Sequence, residues 1–586
     1  MTKFYRFIKP YLGQEKRKII LIFLFVIASQ LLSLIEPVFF AKIIDEYLRD
    51  PGAFPSSSEF YQSLMRLVLL WIVVAFGART FKNLQMYFVE TVSDRLGYRV
   101  FEKSFAHTLA LPMAFHSKFK TGETFRKISK ARDDITGLFT VFFDKIFQNA
   151  FTITAVLVYV LVRSPKIGIP LFGFVPLFFL VTYIFTKRIK KAQVEINEIN
   201  EQLYGNSLEA LNHVEVVKAF AAEKREQDNL QHDNMLQHKR LKKKTVANQA
   251  LGFAQGTVIN LARVVLLWYG AVLAYNGEIS FGDVILFNFY SFYVYQPLYE
   301  LGGIYTKVNE GRAAVERLTD LLREKLGIVN KENGNTAERL RGKIEFKNVS
   351  FSYWPERKIL QNVSFVVEPG KNLALVGGTG SGKSTVVKLL LRFYEPDSGQ
   401  ILIDNVDIRD YDIYELRKRI GLVLQDNLLF NATVAENIAY GSFSTSESEI
   451  TEAASRAQLG GFLGKLANGL QSKVGERGLQ VSGGEKQRIA IARSIIKKPS
   501  ILVFDEATSA LDSKTEQEIK QSIEEVSAGI TTVTVAHRFA TVVNADEILL
   551  LQNGKVVERG THEELLGLDG EYSRLYNLQT QRNLDL

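Results

Sequence analysis

The sequence predicts a two-part protein: an all-α membrane domain of six long spans, then a C-terminal α/β domain built around a phosphate loop, with a helical subdomain. Three observations carry this. Six apolar stretches lie near 19–41, 63–89, 138–162, 167–186, 248–275 and 280–305, each long enough or nearly so to cross a hydrocarbon core of roughly 30 Å as a helix of about 20 residues. From Ile344 onward, short β-rich runs alternate with helical patterns, the mark of an α/β domain. In that second half, "GGTGSGKST" at 377–385 contains G-x-x-x-x-G-K-S, a glycine-rich loop that cradles phosphates when a strand precedes it and a helix follows.

The elements follow in order. "MTKFYRFIKPYLGQEKRK" has no small-residue cleavage site and reads as an amphipathic surface helix, with Phe4, Phe7, Ile8 and Tyr11 on lipid and Lys3, Arg6 and Lys9 at the head groups. The spans alternate with connections of unequal charge. Lys16–Lys18, the stretch around Arg95, Arg99 and Lys103, "KRIKK" after the fourth span and "KRLKKK" before the fifth fall on one side, while "RDPGAFPSSSE", "RSPK" and "YNGEIS" fall on the other. The positive side faces the cytoplasm, which places both termini and the α/β domain there.

Two connections, near 90–137 and 187–247, are far longer than turns and carry apolar residues at helical spacing. They are expected to be span helices that continue into the cytoplasm, turn within "LPMAFHSKFKTGE" and "NSLEALNHVEVVKAF", and return. The alternative is a pair of small soluble insertions. The membrane domain is thus expected over 1–322, a polar linker containing "NKENGNTAERLRG" over 323–342, and the α/β domain over 343–586. Cysteine is absent, which removes disulfides and thiolate chemistry. The net charge of +9 clusters at span ends rather than in one patch, so it speaks for topology and against a nucleic-acid partner.

In the α/β domain, "NLALV" is a buried strand that runs into the loop. Gly377, Gly378, Thr379, Gly380, Ser381 and Gly382 let backbone N–H groups converge on phosphate oxygens, and the next helix offers its positive N-terminus. Lys383 would neutralise the β and γ phosphates, Ser384 would ligate Mg2+, and Thr385 continues the helix. A second strand, "ILVF" at 501–504, delivers Asp505 and Glu506. One carboxylate suits the metal, and the next suits polarisation of the attacking water. "VSGGEKQRIAIARSI" at 481–495 is a Ser-Gly-Gly turn that opens a helix. By itself it is either an anion site or an N-capped structural helix.

These motifs in this order resemble the nucleotide-binding domain of ABC transporters, and six spans before one such domain resemble a half-size ABC exporter of the bacterial multidrug and lipid type, with a type I exporter fold. The resemblance spans the whole chain. It implies that Tyr353 stacks on adenine, that Gln425 reaches Mg2+ and senses the membrane domain, and that Ser482, Gly483, Gly484 and Glu485 contact nucleotide across a dimer. It also implies that "SALD" at 509–512 links paired sites, that His537 contacts the γ-phosphate, and that "GERG" at 475–478 is an exporter element. Val481 and Glu485 depart from the common Leu and Gln.

The resemblance implies ATP and Mg2+ as cofactors, and a second half-transporter as partner. With Glu506 and His537 both present, a homodimer is expected; a heterodimer is the alternative. The expected activity is ATP hydrolysis that drives export or flipping of amphipathic drug-like or lipid substrates by alternating access, in a bacterial cytoplasmic membrane and among its lipids. Export of a peptide or other metabolite, and a non-pumping regulator, are the other readings. The lack of cysteine and of a peptidase-like segment before the spans weighs against a leader-cleaving peptide exporter. For the substrate, Arg79 and Lys82 in the second span share a helix face, and with Arg263 they are expected to line the cavity and draw an anionic head group. Tyr293, with Phe287, Phe289, Tyr290, Phe292, Tyr295 and Tyr299 of the sixth span, either faces lipid and neighbouring helices or walls a cavity suited to amphipathic or cationic molecules. Snorkelling to head groups, or pairing with Asp or Glu, is the other reading of the two cations.

Overall fold

The computed structural model describes residues 2–49, 54–119, 121–325, 327–328, 330–331, 334–336, 340–425, 427–442, 444–475, 481–505, 513–536, 539 and 542–584. Contacts divide the chain into two compact units: Met1–Leu109 with Lys120–Glu324, and Ala110–Phe119 with Lys325–Leu586.

The first unit is all helical. A short amphipathic helix α1 (Thr2–Leu12) leads through a 3-10 turn into α2 (Lys16–Lys42), which ends in a π-helical turn at Ile43–Leu48. Helix α3 (Ser57–Ala110) is 54 residues long, or about 80 Å at 1.5 Å per residue, far more than a bilayer core. The short α4 (Met113–Lys118) follows Pro112 and belongs to the other unit. Then come α5 (Thr121–Val141), a π-helical turn at Phe142–Phe147, and α6 (Gln148–Arg163).

Only Ser164 separates α6 from α7 (Pro165–Gly173), because Pro165 opens the new helix at the position where its missing N–H costs nothing. The fourth span therefore differs from the unbroken helix expected. It breaks at Phe174, between Gly173 and a proline at 176, and resumes as α8 (Val175–Asn212). After the short α9 (Val214–Ala219), α10 (Glu223–Tyr275) and α11 (Phe281–Arg323) complete the set.

Five helices among the described residues are long and apolar enough to cross a membrane. The expected sixth span, α11, falls outside those five. It is long enough, but tyrosine, asparagine and glutamine in "FNFYSFYVYQPLYE" lower its hydropathy.

Two apolar cores hold this unit. In one, Val89, Val92, Leu96 and Val100 of α3 repeat at three- and four-residue spacing against Ile128, Ala131 and Ile135 of α5 and Ala314 and Leu318 of α11. Gly311 permits the close approach, since a Cβ there would lie 2.5 Å from Leu138 Cδ2. In the other, α7, α8 and α10 pack around Leu286, Phe287, Tyr290 and Val294 of α11.

The second unit carries a four-stranded antiparallel sheet of β1 (Ile344–Trp354), β2 (Arg357–Val367), β4 (Ser398–Ile403) and β5 (Val406–Asp407), in the order β2-β1-β4-β5. Between β2 and β4 the chain forms β3 (Asn372–Val376) and α12 (Lys383–Leu390). After β5 come α13 (Ile413–Lys418), β6 (Ile420–Val423), β7 (Ala432–Thr433), α14 (Val434–Ala439), α15 (Glu447–Arg456), α16 (Gly460–Leu463), β8 (Lys473–Val474) and α17 (Gly483–Ile495). The chain continues through β9 (Ile501–Asp505), α18 (Ser513–Ser527), β10 (Thr531–Val535), β11 (Glu547–Gln552) and β12 (Lys555–Gly560).

The second sheet runs β12-β11-β3-β10-β9-β6, parallel apart from its β12 edge. Helix α17 packs into a separate core with α14 and α15 through Val434, Ile438, Ala453, Ala454, Ile489 and Ala492.

Candidate functional site

Register brings the motifs together. Val535 of β10 stands level with Leu375 of β3 on one side and Asp505 of β9 on the other, and Val423 of β6 stands level with Phe504. The phosphate loop, Asp505 and Gln425 therefore leave the sheet at the same carboxyl edge, where open parallel sheets bind their ligands. β10, which leads toward His537, lies between the two motif strands. His537, Glu506 and the "SALD" residues lie outside the described residues, as does "GERG" beyond Gly475.

The loop is shaped for phosphate. Gly377, Gly380 and Gly382 adopt φ of 143°, 81° and 109°, a region that favours glycine. A Cβ at Gly377 would collide with the Leu551 carbonyl, and one at Gly382 would sit 2.6 Å from Leu360 Cδ2. Lys383 is buried, and its Nζ donates to the Gly377 and Gly378 carbonyls at 2.8 and 3.1 Å, so its charge is held inside the loop. Among the described residues, the buried Ser381 Oγ has no hydrogen-bond partner. A buried hydroxyl in a ring of backbone amides at the start of α12 is the polar group a phosphate oxygen would satisfy. Ser384 Oγ donates to Asp505 Oδ1 at 3.2 Å, a hydroxyl and a carboxylate that fit a small hard cation. Thr385 Oγ1 lies 3.3 Å from Tyr353 Oη, and Lys388 Nζ sits 5.5 Å over the Tyr353 ring. Tyr394 meets that ring edge-on at 5.1 Å. Lys388 and Tyr394 were not singled out from sequence, since neither belongs to a fixed-spacing motif.

Ser482 caps α17. Its hydroxyl accepts from the Glu485 N–H at 3.3 Å, and the Glu485 carboxylate accepts from the Ser482 N–H at 2.9 Å. This reciprocal box works with Glu as with Gln and accounts for the departure at 485. Gly483 is exposed, Gly484 is buried, and Val481 fills a place in the apolar core that any aliphatic side chain of similar size could take.

A match to the ABC transporter transmembrane region covers residues 19–298, and a match to the ABC transporter domain covers 360–509. A putative multidrug export ATP-binding/permease protein of Bacillus subtilis is 31% identical over 592 residues, covering 99% of this chain and 99% of that one. This chain is a half-size ABC exporter. An ATM1-type heavy metal exporter of Novosphingobium aromaticivorans is 31% identical over 576 residues, covering 97% and 93%. The solved structure of a bacterial Atm1-family ABC exporter with ATP bound superposes with a TM-score of 0.82 at 31% identity, over 96% of this chain and 98% of that chain. The exporter is thus an integral membrane ATPase of type I exporter fold that binds ATP and couples its hydrolysis to transport.

In the exporter's membrane unit, two hollows of about 550 and 490 Å³ flank one stripe of α11 and share Phe292, Gln296 and Glu300. Tyr293 lines the first and Arg263 the second. The Arg263 guanidinium lies 4.0 Å over the Phe292 ring and donates to Asn288 Oδ1 at 3.1 Å. Of the other aromatics, Phe287 and Tyr290 are buried packing residues, and the Tyr290 hydroxyl donates to the Leu34 carbonyl.

Arg79 and Lys82 line neither of these two hollows, and Lys82 takes the other reading of the pair, a carboxylate partner. Arg79 is exposed on α3. Lys82 Nζ bonds Asp144 Oδ1 at 2.6 Å and Gln148 Oε1 at 2.7 Å. Asp144 lies in the π-helical turn at Phe142–Phe147, and the next residue, Lys145, pairs with Glu300 of α11 at 3.0 Å, as adjacent residues on a helix face different neighbours. Asp144, Lys145 and Glu300 were missed as site residues. Their signal was ionisable side chains inside apolar stretches.

Proposed function

We propose that the exporter works as a homodimer that uses ATP and Mg2+ to move amphipathic organic molecules or lipids from the cytoplasm or inner leaflet of a bacterial cytoplasmic membrane, by alternating access. The observation that carries the substrate class is the mixed lining of the hollows: Phe289, Phe292 and Tyr299 offer apolar faces, while Gln296, Asn149, Asn260 and Arg263 offer hydrogen bonds. The heavy metal exporter among the relatives raises a bare ion as cargo. Among the described residues no group of three or more His, Cys, Asp or Glu could hold a metal ion, which favours an organic solute.

In this reading the nucleotide, when bound with its metal, supplies the γ-phosphoryl group whose transfer to water releases the driving free energy. Lys383 and the amides of 377–385 hold the phosphates, and Tyr353 packs on the base. Ser384, Gln425 and Asp505 orient the metal. Glu506 takes a proton from the attacking water, and His537 donates to the γ-phosphate. Ser482 and the glycines after it, presented at the N-terminus of α17, close the site of the second copy, so neither site is complete in one chain. Closure and release would reach the spans through the turns at α4 and α9 as rigid-body motion.

ATPase activity of the chain expressed alone, reconstituted in lipid and titrated with organic amphiphiles, lipids, peptides and metal salts, tests this. Stimulation by an organic amphiphile class is expected. Stimulation by a hydrated metal ion alone overturns the substrate class, and activity only after adding a different subunit overturns the homodimer.

A further inference from the structure

Helices α8 and α10 run antiparallel, cross-linked at three levels. Asn200 pairs with Gln237 through their side-chain amides, Glu195 with Arg240 at 2.9 Å, and Thr182 with Gln255 at 2.8 Å. Between the last two cross-links, α8 advances 13 residues, about 20 Å. That interval contains "KRIKK" at 187–191 and "KKK" at 242–244, four cations from one run and three from the other. It contains no acidic residue: α8 has none before Glu195, and α10 has none after Asp233. By the register of the cross-links, Lys191 stands opposite residue 245 or so, and the two runs occupy adjacent levels of the helix pair, their centres about 6 Å apart along the axis. The α8 cations, with Lys242 and Lys243, are exposed in the chain, and Lys244 is half-buried.

Seven like charges within this span repel one another unless counter-charge is supplied from outside. The surface next to them says what supplies it. Toward the apolar end of the same pair, Leu180, Tyr183 and Ile184 of α8 and Val246 and Phe253 of α10 are exposed, with Phe253 79% exposed. A cationic belt that borders an uncovered apolar face matches a lipid with an acyl chain and a negative head group. A free anion or a nucleic acid satisfies only the belt. Clusters of four to eight Lys and Arg directly outside a span attract anionic lipid head groups.

We propose that the paired runs at 187–191 and 242–244 form a binding surface for anionic phospholipid, which gathers such lipid around α8 and α10 and balances their charge. The proposal rests on the membrane setting and is independent of the transported substrate.

The test reconstitutes the full exporter in nanodiscs of zwitterionic phospholipid containing one-fifth anionic phospholipid of the same acyl chains. Lipid left with the protein after mild detergent extraction is then counted by native mass spectrometry. The parent should retain anionic lipid several-fold above its bulk share, and 0.5 M salt should reduce the excess. A variant with Lys187, Lys190, Lys191, Lys242 and Lys243 changed to Gln should retain lipid in the bulk ratio, with basal ATPase in purely zwitterionic discs unchanged. The same five positions changed to Arg should keep the excess, which provides a folded comparison if the Gln variant is unstable. An excess that persists in the Gln variant, or is lost in the Arg variant, overturns the proposal. So does capture of a single-stranded oligonucleotide in preference to anionic lipid.

Discussion

Ser384 at the head of α12 and Asp505 at the end of β9 stand 3.2 Å apart, hydroxyl to carboxylate, across 121 residues of chain. β10 separates their strands, and only the parallel register brings both groups to the same edge. Asp505→Asn keeps an acceptor for the Ser384 hydroxyl and removes the charge a metal needs. ATP turnover should fall by two or more orders of magnitude. Nucleotide affinity in excess chelator should stay within a few-fold of the parent, whereas the gain in affinity on adding Mg2+ should disappear. Titration of a fluorescent ATP analogue with and without Mg2+ checks this.

Glu506→Gln should leave ATP binding intact and reduce hydrolysis by orders of magnitude, trapping nucleotide in a closed dimer. Nucleotide retention after gel filtration, measured beside turnover, tests the assignment. Hydrolysis near the parent rate would place the base elsewhere.

Lys82 and Asp144 are partners, so losing either leaves an uncompensated charge among the span helices. Lys82→Gln and Asp144→Asn should each lower thermal stability. The double variant should cost less than the two effects added, with a coupling of about 1 kcal/mol. In the double variant, ATPase stimulation by anionic and cationic amphiphiles should change in parallel, since Lys82 lines neither hollow and the one carboxylate of the pair, which borders the larger hollow, is neutralised with it. Selective loss of the anionic response would return Lys82 to the substrate path.

Arg263 is the cation that the hollow exposes beside an aromatic ring. Arg263→Gln should raise the concentration of an anionic amphiphile needed for half-maximal ATPase stimulation by about tenfold, the worth of one charged hydrogen bond. The corresponding value for a cationic amphiphile should fall or stay level, and basal ATPase should hold. Dose–response curves for a matched pair of amphiphiles separate these outcomes.

Lys497, just beyond α17, donates to the Arg417 and Ile420 carbonyls at 2.7 Å each, and burial pushes its ammonium down to about 8 from a usual 10.5. The folded pKa lies below the unfolded one, so between these values the unfolded chain binds more protons. Lys497 therefore adds a term that makes stability rise with pH from about 8 to about 10.5. Lys497→Met should flatten that part of the melting-temperature curve relative to the parent. Identical curves would mean the amine is hydrated.

The sequence by itself determined the parts whose chemistry depends on short, fixed spacing. Phosphate binding needs glycines, Lys383 and Ser384 within one loop and helix turn, so the site could be read from nine consecutive residues. A span needs only enough apolar length, so all six stretches could be read from the sequence, the aromatic sixth with the lowest hydropathy. The tertiary structure decided what depends on distant partners. Nothing local says that Lys82 will find Asp144, 62 residues away, because the pairing exists only once α3 is packed against the segment that carries Asp144. Nor does "KRIKK" say that it will lie beside "KKK". That follows from the antiparallel register of α8 and α10, set by side chains that bond only once the helices are packed.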